Sequence, residues 1–272
     1  MIRRKGTVLA MVKSFLLQRV VLPSSMLALL VLSLAYWWLD NVLHEAVGTA
    51  LCVFLCWHIY ANRTWFKNLT RGRYDSRRAV RLVLHVGLMF NMAVLLITSV
   101  IISKSAFAWL PIPDSLDLRE IHWFSAYWVM MVTGIHVGLH WERLRTSVLN
   151  IFGFRQTNPV LQAILVAIGA AFALQGLASF QILGVWTKLT FNYSLDFWDF
   201  TTSVAPFFGH WLAVFTSPAI VTHLLMAMWR RTGPNKLALY QGYLVASGKP
   251  QDRWRNASSN AANAGEDWRR LG

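Results

Sequence analysis

Two segments of the chain carry histidines at one repeated spacing. In HEAVGTALCVFLCWHIYANRTWF the pair is His44 and His58, and in IHWFSAYWVMMVTGIHVGLHWERL it is His122 and His136, fourteen residues apart in each case. Fourteen helical steps leave two side chains about 40° from sharing one face and about 21 Å apart along the axis. Two such helices side by side offer two opposed imidazole pairs, one stacked above the other across a bilayer. Imidazole ligates iron, copper and zinc, and two b-type haems in a membrane need such pairs.

The elements that must position these rings are membrane helices. Apolar residues make up 56% of the chain and charged ones only 14%, and apolar runs of about twenty residues recur, each able to cross a hydrocarbon core of about 30 Å. The expected fold is an all-α integral membrane protein, a six-transmembrane helical bundle, with spans near 21–39, 42–60, 79–102, 121–140, 160–183 and 204–229. It divides into a basic N-terminal segment (1–20), a haem-binding transmembrane domain (21–230) and a polar C-terminal tail (231–272). The run after the basic N-terminus continues into Tyr36, Trp37 and Trp38 without a small-residue cleavage site, so it reads as an uncleaved first span rather than a signal peptide.

A net charge of +14 would suggest nucleic acid in a soluble protein, but its distribution points to topology. All but three of the 26 Lys and Arg fall before the first span, in 63–81, in 143–155 or after Trp229. Lys104, Arg119 and Lys188 lie on the other side, with Asp114, Asp117, Asp196 and Asp199. The positive-inside rule makes both termini cytoplasmic. No nucleic-acid partner is expected; lipid is. The second and fourth spans then run parallel, so that His44 and His122 share the outer half and His58 and His136 the inner half.

The helix plan also repeats around the histidines: Ile59 and Asn62 follow His58 as Val137 and His140 follow His136. A single membrane histidine is more often a packed, hydrogen-bonded residue than a ligand, whereas four in this pattern favour haem iron. His85 could replace His58 or His136 as a ligand, and His140 is a candidate propionate or quinone contact. His210 and His223, thirteen residues apart with Pro218 between them, do not share a face, and each is a lesser candidate for a haem or quinone contact. Cys52 and Cys56 sit at i and i+4 in the second span and read as packing residues, and no CxxCH motif calls for covalent haem. Glu45 reads first as a cap for its own helix and second as a proton acceptor from quinol. The aromatic loop FNYSLDFWDF suits a membrane interface.

The segments HEAVG…WHIYANRTW and IHWFSAYW…GIHVGLHW resemble the flavinylation-associated membrane cytochromes, a group first described as a domain of unknown function. More broadly they resemble respiratory cytochrome b subunits and transmembrane ferric reductases. The likeness covers roughly 44–141. It implies that His44 with His122, and His58 with His136, are the axial ligands of two haem b groups. It further implies electron transfer across a bacterial inner membrane toward flavin-bearing or other extracytoplasmic partners, with quinone as a further candidate.

No GxGxxG unit, P-loop or iron–sulfur cysteine set is present, and the loops are too short for a flavin domain. Electrons would then enter from quinol or a partner subunit, and the resemblance implies a cytochrome b subunit, a candidate part of a quinol-linked oxidoreductase. Ferric chelate reduction by the same haems is an alternative. A histidine-based metal or proton transporter is another; transport predicts carboxylates, broken helices or sulfur ligands near mid-membrane, whereas Glu45 and Glu120 lie only at the periplasmic ends.

Overall fold

A computed structural model describes residues 17–72, 74–113, 115–152, 159–192 and 198–232. The first sixteen residues of the basic segment, Asp114, Asp196, part of the aromatic loop and the tail from 233 onward lie outside the described residues. Among the described residues the chain is helical, with no strand. A π-helical turn (Leu17–Val21) leads into α1 (Leu22–Ser33) and then α2 (Tyr36–Ala61), α3 (Thr64–Lys67), α4 (Ser76–Ile101), α5 (Leu116–Phe152), α6 (Pro159–Ile182), α7 (Val185–Leu189) and α8 (Val204–Thr232).

Local chemistry sets several of these boundaries. Pro23 lies in the first turn of α1, where its missing N–H costs nothing. Asp75 caps α4 by accepting from the Arg78 backbone N–H at 2.8 Å. Ahead of α8, the Asp199 carboxylate accepts from Thr201 N at 2.9 Å and from Thr202 Oγ1 at 2.7 Å. Its pKa is held down to about 2, chiefly by the Thr201 and Thr202 hydroxyls. Within α2, Asp40 has φ 61° and ψ 171°, a strained conformation for a side-chain-bearing residue, and the helix kinks there. The kink separates the aromatic turn Tyr36–Leu39 from the straight run that carries His44 and His58.

Among the described residues four helices are long and apolar enough to cross a membrane: α2, α4, the Ala163–Ile182 part of α6, and α8 over Val204–Arg230. Their outer faces carry large apolar side chains in the open, with Phe90 70%, Val166 72% and Leu174 68% exposed. In water so much exposed hydrocarbon would drive aggregation, whereas lipid solvates it. The chain is therefore a multi-pass membrane protein. The first expected span is shorter as a helix, apolar over Gln18–Ser33. The fourth lies inside the 37-residue α5, whose three histidines lower its mean hydropathy.

Close packing joins α5 to α8 through glycine. A Cβ on Gly134 would come within 2.5 Å of the Phe215 carbonyl oxygen, and one on Gly138 within 2.3 Å of the Ala219 carbonyl oxygen. Gly176 of α6 is equally tight: a Cβ there would come within 2.6 Å of the Ala213 carbonyl oxygen, on another face of α8. In lipid, where apolar burial gives little attraction between helices, small residues that let backbones approach supply much of the adhesion. His136 and His140 follow Gly134 and Gly138 by two residues, about 200° around the helix, so α5 turns glycines to α8 and histidines to the opposite side.

Candidate functional site: two histidine groups

α5 packs most extensively on α4, and α2 also touches α4, which brings three histidine-bearing helices together. At one end, His44 of α2 and His122 of α5 face each other with ring centres 6.3 Å apart and planes at 74°. Metal–imidazole bonds of about 2.0 Å, with each ring centre about 1.2 Å beyond its nitrogen, put two imidazoles on opposite sides of one ion about 6.4 Å apart, centre to centre. The observed ring-centre spacing leaves room for one such ion between the two imidazoles. Tyr36, from the short turn before the Asp40 kink, sets its ring edge-on to His44 at 5.1 Å.

The network also fixes which nitrogen of His122 is open. Its Nδ1 lies 3.3 Å from both Thr98 Oγ1 and Ser99 Oγ of α4. Thr98 donates its hydroxyl hydrogen to the Val94 or Leu95 carbonyl, and Ser99 donates to the Leu95 carbonyl at 2.7 Å. With both hydroxyl hydrogens committed to backbone, their oxygens accept from His122 Nδ1–H, which leaves the Nε2 lone pair free. Metal-binding histidines are oriented in this way. Sequence reading missed Thr98 and Ser99 because nothing in their spacing distinguishes them from ordinary helix residues bonded to the preceding turn.

At the other end, His85 of α4 joins His136 and His140 of α5. The ring centres are 4.9 Å apart for His85–His136, 5.2 Å for His85–His140 and 4.9 Å for His136–His140. One ligand nitrogen from each lies within 4.8 Å of the others. His85 donates from Nδ1 to the Arg81 carbonyl, and its Nε2 is 3.0 Å from His140 Nε2. Trp65 of α3 lies across the His85 ring at 5.4 Å. His58 is in electrostatic range of His136 and His140, although no ring contact joins it to them.

Three ring nitrogens are orphaned: Nδ1 of His44, of His58 and of His136 is buried with no hydrogen-bond partner. An unmet buried polar atom costs about 1–3 kcal/mol, so all three call for a partner such as a metal, a cofactor or water. They fall on three of the four histidines of the repeated spacing. The donor set of neutral imidazoles, with no carboxylate among them, fits haem iron or a borderline transition metal.

His210 and His223 are occupied elsewhere. His210 donates from Nδ1 to Ser179 Oγ at 2.9 Å, the Ser179 hydroxyl hydrogen being given to the Gln175 carbonyl, and its ring meets Trp198. His223 lies beside Trp141, with Nε2 4.0 Å from a Glu142 oxygen. Cys52 and Cys56 are free thiols.

Glu45 does something its position did not suggest. Rather than capping α2, its carboxylate accepts from Ser103 Oγ, Ser105 Oγ and the backbone N–H groups of Lys104, Ser105 and Ala106, at 2.6–3.2 Å. One side chain thus satisfies the loop that leaves α4 and ties it to the helix carrying His44. Glu45→Ala is expected to lower stability by about 1–3 kcal/mol, because that loop loses its acceptor. Thermal unfolding in detergent measures this, and an unchanged midpoint contradicts it.

No protein-family model, curated protein or solved structure matches this chain.

Proposed function

We propose that the chain is a membrane electron-transfer protein of the b-type cytochrome kind, holding haem between α2 and α5. His44 and His122 form the pair that carries the reading, through the 6.3 Å separation of their rings. His58 and His136 repeat the plan fourteen residues on and would form a second pair wherever His136 is not engaged with His85 and His140. Haem held by two imidazoles has no open iron position and supplies one-electron transfer rather than oxygen chemistry. The protein's share is placement: Thr98 and Ser99 aim His122, Tyr36 braces His44, and apolar helices keep water from the rings.

In this reading α1 and α5 complete six spans with both termini on the cytoplasmic side of a bacterial inner membrane, as the basic loops favour. Electrons come from quinol or a partner protein and leave to an extracytoplasmic acceptor. The test is a dithionite-reduced minus oxidised absorption spectrum of the purified chain, with a pyridine haemochrome count. Expected are b-type bands and at least one haem per chain. Well-folded protein without haem overturns the proposal.

A further inference from the structure

The two histidine groups differ in geometry, and the difference says what each can hold. Ligands on opposite sides of an ion have ring centres about 6.4 Å apart, whereas two imidazoles of a tetrahedral ion, at about 109°, have centres about 5.2 Å apart. The His44–His122 pair, at 6.3 Å, is of the first kind. All three distances in the His85, His136 and His140 group, 4.9, 5.2 and 4.9 Å, are of the second.

We propose that His85, His136 and His140 form a three-imidazole site for a single transition-metal ion of the zinc and copper class. Each part of the group fits that occupant. His136 and His140 stand at i and i+4 on one face of α5, the spacing with which a helix chelates zinc. His85 closes the triangle from α4. Its Nδ1–H is given to the Arg81 carbonyl, the outer-sphere bond that metal-binding histidines make, and this leaves the Nε2 lone pair pointing at His140. Trp65 covers the His85 ring. Nitrogen-only ligation excludes magnesium and calcium, which take oxygen, and three protein ligands leave one position for water or a fourth ligand.

The site goes beyond the haem reading and shares one residue with it. His136 can serve a haem with His58 or an ion with His85 and His140, but not both together. A chain loaded in this way carries one redox centre, at His44 and His122, and a metal ion at the other end.

The deciding experiment equilibrates the full chain in detergent with Zn²⁺, removes free metal by gel filtration, and counts zinc by mass spectrometry and haem by pyridine haemochrome. One zinc per chain is expected. His85→Ala and His140→Ala should each weaken zinc binding at least about 100-fold while helix content by circular dichroism is kept, and His58→Ala should retain the zinc. Co²⁺ in place of Zn²⁺ should give tetrahedral visible bands that the same two substitutions abolish. Zinc bound equally by the His85→Ala and His140→Ala chains overturns the proposal. Two haems with no zinc uptake overturns it too, while upholding the haem reading; one zinc with no haem upholds the site and sinks that reading.

Discussion

If the proposed haem reading holds, His122→Ala protein, purified alongside the parent, is expected to lose one haem per chain. The pyridine haemochrome count should fall by one with helix content unchanged, and the residual spectrum should be that of any centre at the other end. The size of the effect follows from how His122 is built into the bundle. It is the most enclosed of the paired rings, 9% exposed, and the one whose open nitrogen is fixed by two α4 hydroxyls. In the proposed haem site alanine would remove one of the two imidazoles and leave an apolar hole in its place. Thr98→Val combined with Ser99→Ala keeps the ring but frees it to rotate, and haem affinity should fall by about 10–100-fold. His210→Ala should leave the count untouched, since that ring is engaged with Ser179 and Trp198. Full haem occupancy in His122→Ala would remove His122 as a ligand and with it the pairing across α2 and α5.

The part of this arrangement legible from the sequence is the part that one-dimensional spacing encodes. Residue type and a fourteen-residue step put His44 and His58 near one face of a helix, and the repeat at His122 and His136 suggested the partner; the structure does bring His44 and His122 together. Apolar runs announced the helices themselves. What spacing cannot encode is the rotation of one helix against another. His85 was visible as a histidine at the right depth, but only the packing of α4 on α5 decides that it meets His140 rather than the ring of His58. The reach of α5 to Phe152 was hidden because its last turns are basic and polar and read as a loop. Glu45 misled for a related reason: its acceptors' partners lie some sixty residues away, in a loop whose path depends on where α4 ends. The glycines of TGIHVGLHW were masked by the histidines that follow each of them, although their i and i+4 spacing is itself a signal for helix contact in a membrane.

Those glycines give the second large effect. Gly138→Ala adds one carbon, and it would sit 2.3 Å from the Ala219 carbonyl oxygen and 2.8 Å from Thr222 Cβ. Neither neighbour is the free end of a flexible chain, so α5 and α8 must move apart along the length of their contact. Overpacking of this kind costs about 1–3 kcal/mol, and Gly138→Leu should exceed that and prevent assembly of the bundle. Gly134→Ala should behave like Gly138→Ala, with the Phe215 carbonyl and Pro218 as the obstacles. The same change at Gly48 or Gly87, where an added Cβ meets nothing within 4 Å, should be neutral or stabilising by up to about 1 kcal/mol, because alanine is the better helix former. Thermal unfolding of the four variants in one detergent reads the contrast. A shift of equal size in all four would mean that α8 does not lie against α5 at these positions. Since His136 and His140 face away from α8, any haem or metal retained by folded Gly138→Ala protein should show unaltered spectra, which separates loss of packing from loss of ligation.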